Sequence, residues 1–211
     1  MSVESMINLI LAVVTGITAI IALLLTLRQI KLSNKQYLFE RRLDKYLLIK
    51  DLLTLYKSSV SILEKETFFE NVDFAFNSLV NCARLEDIYW VIEDPKDSDA
   101  RKKFLIKCEG LERSALEITL LWKGESGELI STFVKQYSDL LRALLRQQVA
   151  VKSLEKQGEK GSFLLEEVQD KKKQSAVSYG LFDAAQAIAE TYKKIIENDV
   201  EQILRKNLSL L

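Results

Sequence analysis

The chain has no histidine among its 211 residues, one proline, seven glycines and two cysteines. Each scarcity removes a class of protein. Without imidazole the commonest general base and metal ligand is gone, and Ser-His-Asp and Cys-His arrangements are excluded outright. A carboxylate di-metal bundle needs Glu-x-x-His pairs and fails on the same ground. So few breakers favour long helices over a strand-and-turn fold. Cys82 and Cys108 match no metal spacing and read as small buried apolar side chains. Lys+Arg and Asp+Glu both count 30, so the net charge is zero. A dedicated nucleic-acid binder would need a basic face for phosphates, so no nucleic-acid partner is expected. Glycine-rich phosphate loops are absent, and Gly158 to Gly161 is a polar loop. No cofactor is implied.

What the chain does have is an uncharged run from Ile7 to Leu27, 21 residues long. As a helix it would rise about 31 Å, close to the roughly 30 Å of a hydrocarbon core. It is apolar around its whole circumference, unlike a core helix of a soluble domain. No Lys or Arg precedes it, and Leu25-Thr26-Leu27-Arg28 offers no small-x-small cleavage site, so it reads as an uncleaved anchor. Basic residues begin immediately afterwards. Residues 28–50 carry seven Lys and Arg against Glu40 and Asp44, a local charge of +5. Lys and Arg stay on the cytoplasmic side. The expected topology is single-pass in the cytoplasmic membrane, with residues 1–6 outside, 7–27 spanning, 28–45 a basic neck and 46–211 a cytoplasmic bundle. Arg28, Lys31, Lys35, Arg41 and Arg42 are the candidates for contact with anionic lipid.

Inside the span, Asn8, Ala12, Thr15, Ala19, Ala22 and Thr26 are spaced 4, 3, 4, 3, 4. The spacing continues as Gln29, Ser33 and Gln36. Ala12 and Gly16 add a small-xxx-small pair. Lipid gives helices no hydrophobic reason to associate, whereas small and hydroxyl-bearing residues permit close approach and interhelical bonds. This stripe is the candidate homo-oligomeric seam.

Downstream, no breaker separates Leu27 from Lys65, which predicts a helix continuous with the anchor and joined without a flexible tether. Tyr46, Ile49, Leu53, Tyr56, Val60 and Leu63 follow 3-4 spacing, widened by Leu48, Leu52 and Leu55. Thr67-Phe68-Phe69-Glu70 has the form of a capping box and predicts a helix starting near Phe68 and ending before Pro95. Its apolar side is Phe69, Val72, Phe76, Leu79, Ala83 and Ile88. A third helix, from about Ser98 to Trp122, carries Phe104, Cys108, Leu111, Ala115, Ile118 and Trp122. Gly124 to Gly127 reads as a turn. The fourth helix carries Ile130, Phe133, Tyr137, Leu140, Leu144 and Val151 and breaks at Gly158 and Gly161. The last runs from about Phe163 to Lys206, with Asp170 to Lys173 as its candidate interruption and Leu181, Ala185, Ile188, Tyr192, Ile195 and Ile203 as its face. The acidic clusters fall at helix ends and loops, where capping is usual. Trp90 and Trp122 read as core or edge packing.

The expected fold is all-α: an N-terminal transmembrane helix continuing into an antiparallel bundle of four to five long helices. The stretches LRQIKLSNKQ (Leu27 to Gln36) and FERRL (Phe39 to Leu43) resemble the juxtamembrane region of a loose group of uncharacterised bacterial single-pass membrane proteins. The likeness covers about 40 residues, implies a bacterial inner-membrane setting and carries over no catalytic residue. The expected function is non-enzymatic: a membrane-anchored interaction or scaffold protein that self-associates through its span and meets a cytoplasmic protein partner. The alternative is an oligomeric effector that permeabilises the bilayer, in the manner of toxin or defence proteins. A histidine-free enzyme with a carboxylate pair is the third reading.

Overall fold

The computed structural model describes residues 3–65, 67–159 and 165–208. Among the described residues the chain is all-α, with seven α-helices, one 3-10 helix and no strand. They are α1 (Val3–Leu63), α2 (Val72–Val80), the 3-10 helix Glu86–Val91, α3 (Ser98–Leu121), α4 (Glu125–Glu159), α5 (Leu165–Ser178), α6 (Leu181–Glu197) and α7 (Val200–Leu208). The chain divides into two compact units at Leu43 and Asp44, inside the uninterrupted α1.

In the first unit one stretch is long and apolar enough to cross a membrane, and none of it is buried against protein. Gly16 is the only breaker in α1, and a Cβ there would meet nothing within 4 Å. The glycine answers no backbone need in a single copy.

The second unit is organised around α4, which packs against α2, α3, α5, α6 and α7. Its apolar face is the predicted one: Ile130, Phe133, Tyr137, Leu140, Leu144 and Val151 are all buried. So is the predicted face of α3, from Phe104 to Trp122. The two helices run antiparallel. Ser131 Oγ donates to the Ala115 carbonyl and Ser138 Oγ to that of Cys108, so α3 numbers fall as α4 numbers rise. The turn joining them is tighter than Gly124 to Gly127. Gly124 takes φ +97°, which suits glycine. Gly127 already lies in α4, so close to Trp122 that a Cβ would sit 1.8 Å from its carbonyl oxygen. In α1, Ile49, Leu52, Leu53, Tyr56 and Leu63 are buried as expected, each large aliphatic contributing about 1.5–3 kcal/mol.

Three expectations fail. The capping box is not used: residues 67–70 form turns, Glu70 N–H donates to the Thr67 carbonyl, and α2 starts only at Val72. The apolar rings override the cap, because Phe68 and Phe69 are both buried against Phe182. Nor does that helix reach Pro95. It stops at Val80, and a 3-10 helix follows. Leu85, Ile88 and Val91 recur every third residue and are all buried, matching a 3-10 helix of three residues per turn. Ala83, assigned to an α-helical face, is exposed.

The C-terminal segment is three helices, and it breaks elsewhere than at Asp170 to Lys173. Gly180 at φ +66° separates α5 from α6, and Asp199 at φ +48° separates α6 from α7. Asp is among the few non-glycine residues that tolerate this region. The second break turns the chain so that Val200 and Leu204 are buried, while Ile203 is exposed. The lysine run stays helical, with Lys172 Nζ 2.8 Å from Glu155. Gly158 lies in the last turn of α4, and Gly161 and Phe163 lie outside the described residues. The four to five long helices are thus α1, α3 and α4 with four shorter α-helices.

Candidate functional site

Every member of the predicted seam is exposed on α1: Asn8, Ala12, Thr15, Gly16, Ala19, Ala22 and Thr26. At about 100° per residue, the six at 4-3 spacing fall within an arc of about 80°, and Gly16 lies about 40° beyond its edge. The hydroxyls on this face are already engaged. Thr15 Oγ1 donates to the Leu11 carbonyl and Thr26 Oγ1 to that of Ala22, both at 2.8 Å. Thr18, off the seam, does the same to Val14. These i−4 bonds use the only donor a threonine has and leave its oxygen as an acceptor. Apart from the Asn8 amide, which also carries donors, the seam therefore offers a neighbour small surface and acceptor oxygen.

The basic residues take a different face. Arg28, Lys31 and Lys35 are exposed and Arg42 is half-buried. By the same rotation these four share an arc of about 60°, roughly opposite the seam. Arg41 stands apart from them, with its Nε donating to Tyr37 Oη at 3.0 Å.

The second unit holds a groove of about 780 Å³ between the end of α1 and α6. Its floor is Tyr56, Val60, Leu63 and Phe68 on one side and Phe182, Ala185, Ala189, Tyr192 and Ile196 on the other. Tyr56 fixes the two sides. Its ring meets Phe133 edge-on at 5.8 Å and Tyr192 at 4.9 Å. Burial, helped by Glu64 and Tyr192, pushes the Tyr56 hydroxyl up to about 12, so the phenol stays neutral at physiological pH. The rim is charged: Glu64, Glu190, Glu197 and Lys193. Glu190 accepts from Gln186 Nε2 at 2.9 Å, and Lys193 lies 3.8 Å from Glu197. Ile196 is 61 % exposed at one end.

A second cleft lies beside α2 and the 3-10 helix, where Phe74 and Trp90 are both largely exposed. Trp90 thus departs from the expected packing role, whereas Trp122 is buried. Other polar groups in the unit serve the fold. Asp97 caps α3 by accepting from the Asp99 amide. Buried Lys45 lies 3.0 Å from both Ser114 Oγ and Glu117 Oε2. Buried Gln147 donates to the carbonyls of Phe69 and Lys172 and accepts from Ser175. Both cysteines are free thiols. Cys108 is buried and its thiol is pushed up by burial; Cys82 is half-buried. Among the described residues no group of three or more Cys, Asp or Glu side chains is placed to hold a metal ion.

The groove was not read from the sequence, though a signal was present. Phe182, Ala185, Ala189 and Ile196 follow helical spacing on a second face of α6, beside the buried face of Leu181, Ile188 and Ile195. A helix with two apolar faces has more apolar surface than one core needs. No family model, curated protein or solved structure matches this chain.

Proposed function

We propose that the chain is a non-enzymatic, membrane-anchored interaction protein. Ile7 to Leu27 crosses the cytoplasmic membrane with the N-terminus outside, copies associate through the seam, and the bundle meets a cytoplasmic protein. The observation that carries this reading is the division of α1 into two faces. With the small residues turned towards a second copy, Arg28, Lys31 and Lys35 turn outward to lipid headgroups, and like charges do not meet across the contact. A bacterial inner-membrane setting follows the juxtamembrane resemblance.

The test is the mass of the detergent-solubilised protein, beside the double variant Ala19→Leu/Ala22→Leu. The wild type is expected to be oligomeric and the variant to dissociate; an unchanged mass would reject the seam. Protease treatment of intact cells tests the orientation, since a C-terminal tag should survive.

The second reading, an oligomeric effector that permeabilises the bilayer, is favoured by the polar positions Asn8, Thr15, Thr26 and Gln29 on that face. The engaged threonine donors weigh against a wet lumen. Expression with a membrane-potential dye separates the two. Collapse of the potential, abolished by the seam variant, would establish the effector, and a steady potential at high expression would dismiss it.

A further inference from the structure

We infer that the groove between the end of α1 and α6 is a docking site for an amphipathic helix with a basic polar face, supplied by a cytoplasmic partner protein. This rests on the interaction-protein reading and names the partner's chemistry. A floor exposed at Ala189 and Ile196 and partly open at Val60, Phe182, Ala185 and Tyr192 suits a third helix, which would lay residues at i, i+3 or i+4 and i+7 along it. From Phe182 to Ile196 the α6 side runs about 21 Å, roughly four turns. Ala185 and Ala189 lie mid-floor and let another backbone approach, while Phe182 and Ile196 supply larger contacts.

The rim decides the sign of the occupant. Three glutamates face one lysine, and that lysine lies within 4 Å of Glu197. An acidic border over an apolar floor attracts Lys and Arg flanking an apolar stripe and repels both anionic lipid and an acidic helix. The exposed apolar residues are therefore not a membrane-binding patch.

The experiment uses the full chain in phosphatidylcholine nanodiscs. The probe is a fluorescent amphipathic Leu/Lys peptide of about four helical turns, with a Leu/Glu twin of the same pattern and protein-free discs as the baseline. Saturable binding of the Leu/Lys peptide alone is expected. Ala189→Trp should fill the floor and weaken binding about tenfold or more. Glu64→Lys/Glu190→Lys should weaken it about threefold or more, with no loss of thermal stability, because both positions are exposed. Equal binding of the Leu/Glu twin, or wild-type affinity in both variants, would overturn the site. Equally tight competition by a peptide of residues 28–45 would overturn the foreign partner in favour of a second copy. Photocrosslinking in cells separates the two levels. A membrane-recovered partner kept by both variants sinks the groove and leaves the interaction reading standing. No crosslinked protein from any bundle surface sinks the reading itself.

Discussion

Leu24 and Leu52 lie in the same helix and meet opposite fates. Leu24 is 60 % exposed, and Leu52 is fully buried. Around Leu24 no charged residue occurs from Ile7 to Leu27; around Leu52 apolar residues recur at 3-4 spacing between Lys45, Lys50 and Lys57. An uncharged stretch that is mostly apolar on every side is suited to lipid. Periodic apolarity leaves a wet side, so its solvent is protein. Both units are helical, for different reasons. In the first a single helix satisfies its own backbone, as a lipid surrounding would require. In the second the helices are held by what they bury.

The comparison breaks first in the core. Phe133→Ala should destabilise the second unit by about 3–5 kcal/mol, because it empties a fully buried ring site. Leu24→Ala should leave that unit's unfolding unchanged. Urea titration in detergent, followed by near-ultraviolet circular dichroism, checks both, and a loss of more than about 1 kcal/mol for Leu24→Ala would mean the span is packed after all.

A sharper pair removes one hydroxyl from each region. Tyr137 is fully buried, and its hydroxyl donates to the Leu79 carbonyl at 2.6 Å. Tyr137→Phe should cost about 1–3 kcal/mol, whereas Thr26→Val should stay within about 0.5 kcal/mol and keep the oligomer intact. Dissociation of Thr26→Val would show that seam hydroxyls bond across copies.

Alkali should act on the second unit before the first. The Tyr56 hydroxyl is pushed up to about 12, and that of Tyr137 is raised well above its ordinary value by burial. A raised folded value gives stability that is fully present below the unfolded value near 10 and is lost as pH rises through the folded one. Stability should therefore hold to about pH 10 and fall towards pH 12, with less of a fall in Tyr56→Phe. A flat profile in the wild type would contradict the burial of these rings. The smallest effect is kinetic. With its thiol raised by burial, Cys108 should resist maleimide in the native protein and react only on unfolding, while half-buried Cys82 reacts first. Mass spectrometry of a brief labelling time course distinguishes them.

The faces of α3 and α4 were legible because nothing interrupts their 3-4 repeat. Elsewhere tertiary contacts outweighed local signals. Phe68 and Phe69 sought the core and cancelled a good capping box. Leu85, Ile88 and Val91 carry a period of three that an α-helical reading absorbs without notice. Gly180 is passed over as a breaker in favour of the charged run from Asp170 to Lys173, and Asp199 gives no local signal of a break, since most aspartates keep negative φ. The candidate seam and the basic residues could be placed on faces of α1 from spacing alone, since all lie on one helix. The groove joins α1 to α6 across more than a hundred residues, and no local pattern reports such a pairing.

That long pairing sets an order of events during synthesis. Tyr56 packs on Tyr192, which the ribosome adds 136 residues later. At roughly 5–20 residues per second, the inner face of α1 waits on the order of ten seconds for its partner. Meanwhile α3 and α4 are free to close on each other as a hairpin of neighbouring segments. The nascent chain would therefore hold an unfinished apolar surface until α6 is made. Slowing the ribosome would lengthen that interval and with it the demand for a chaperone.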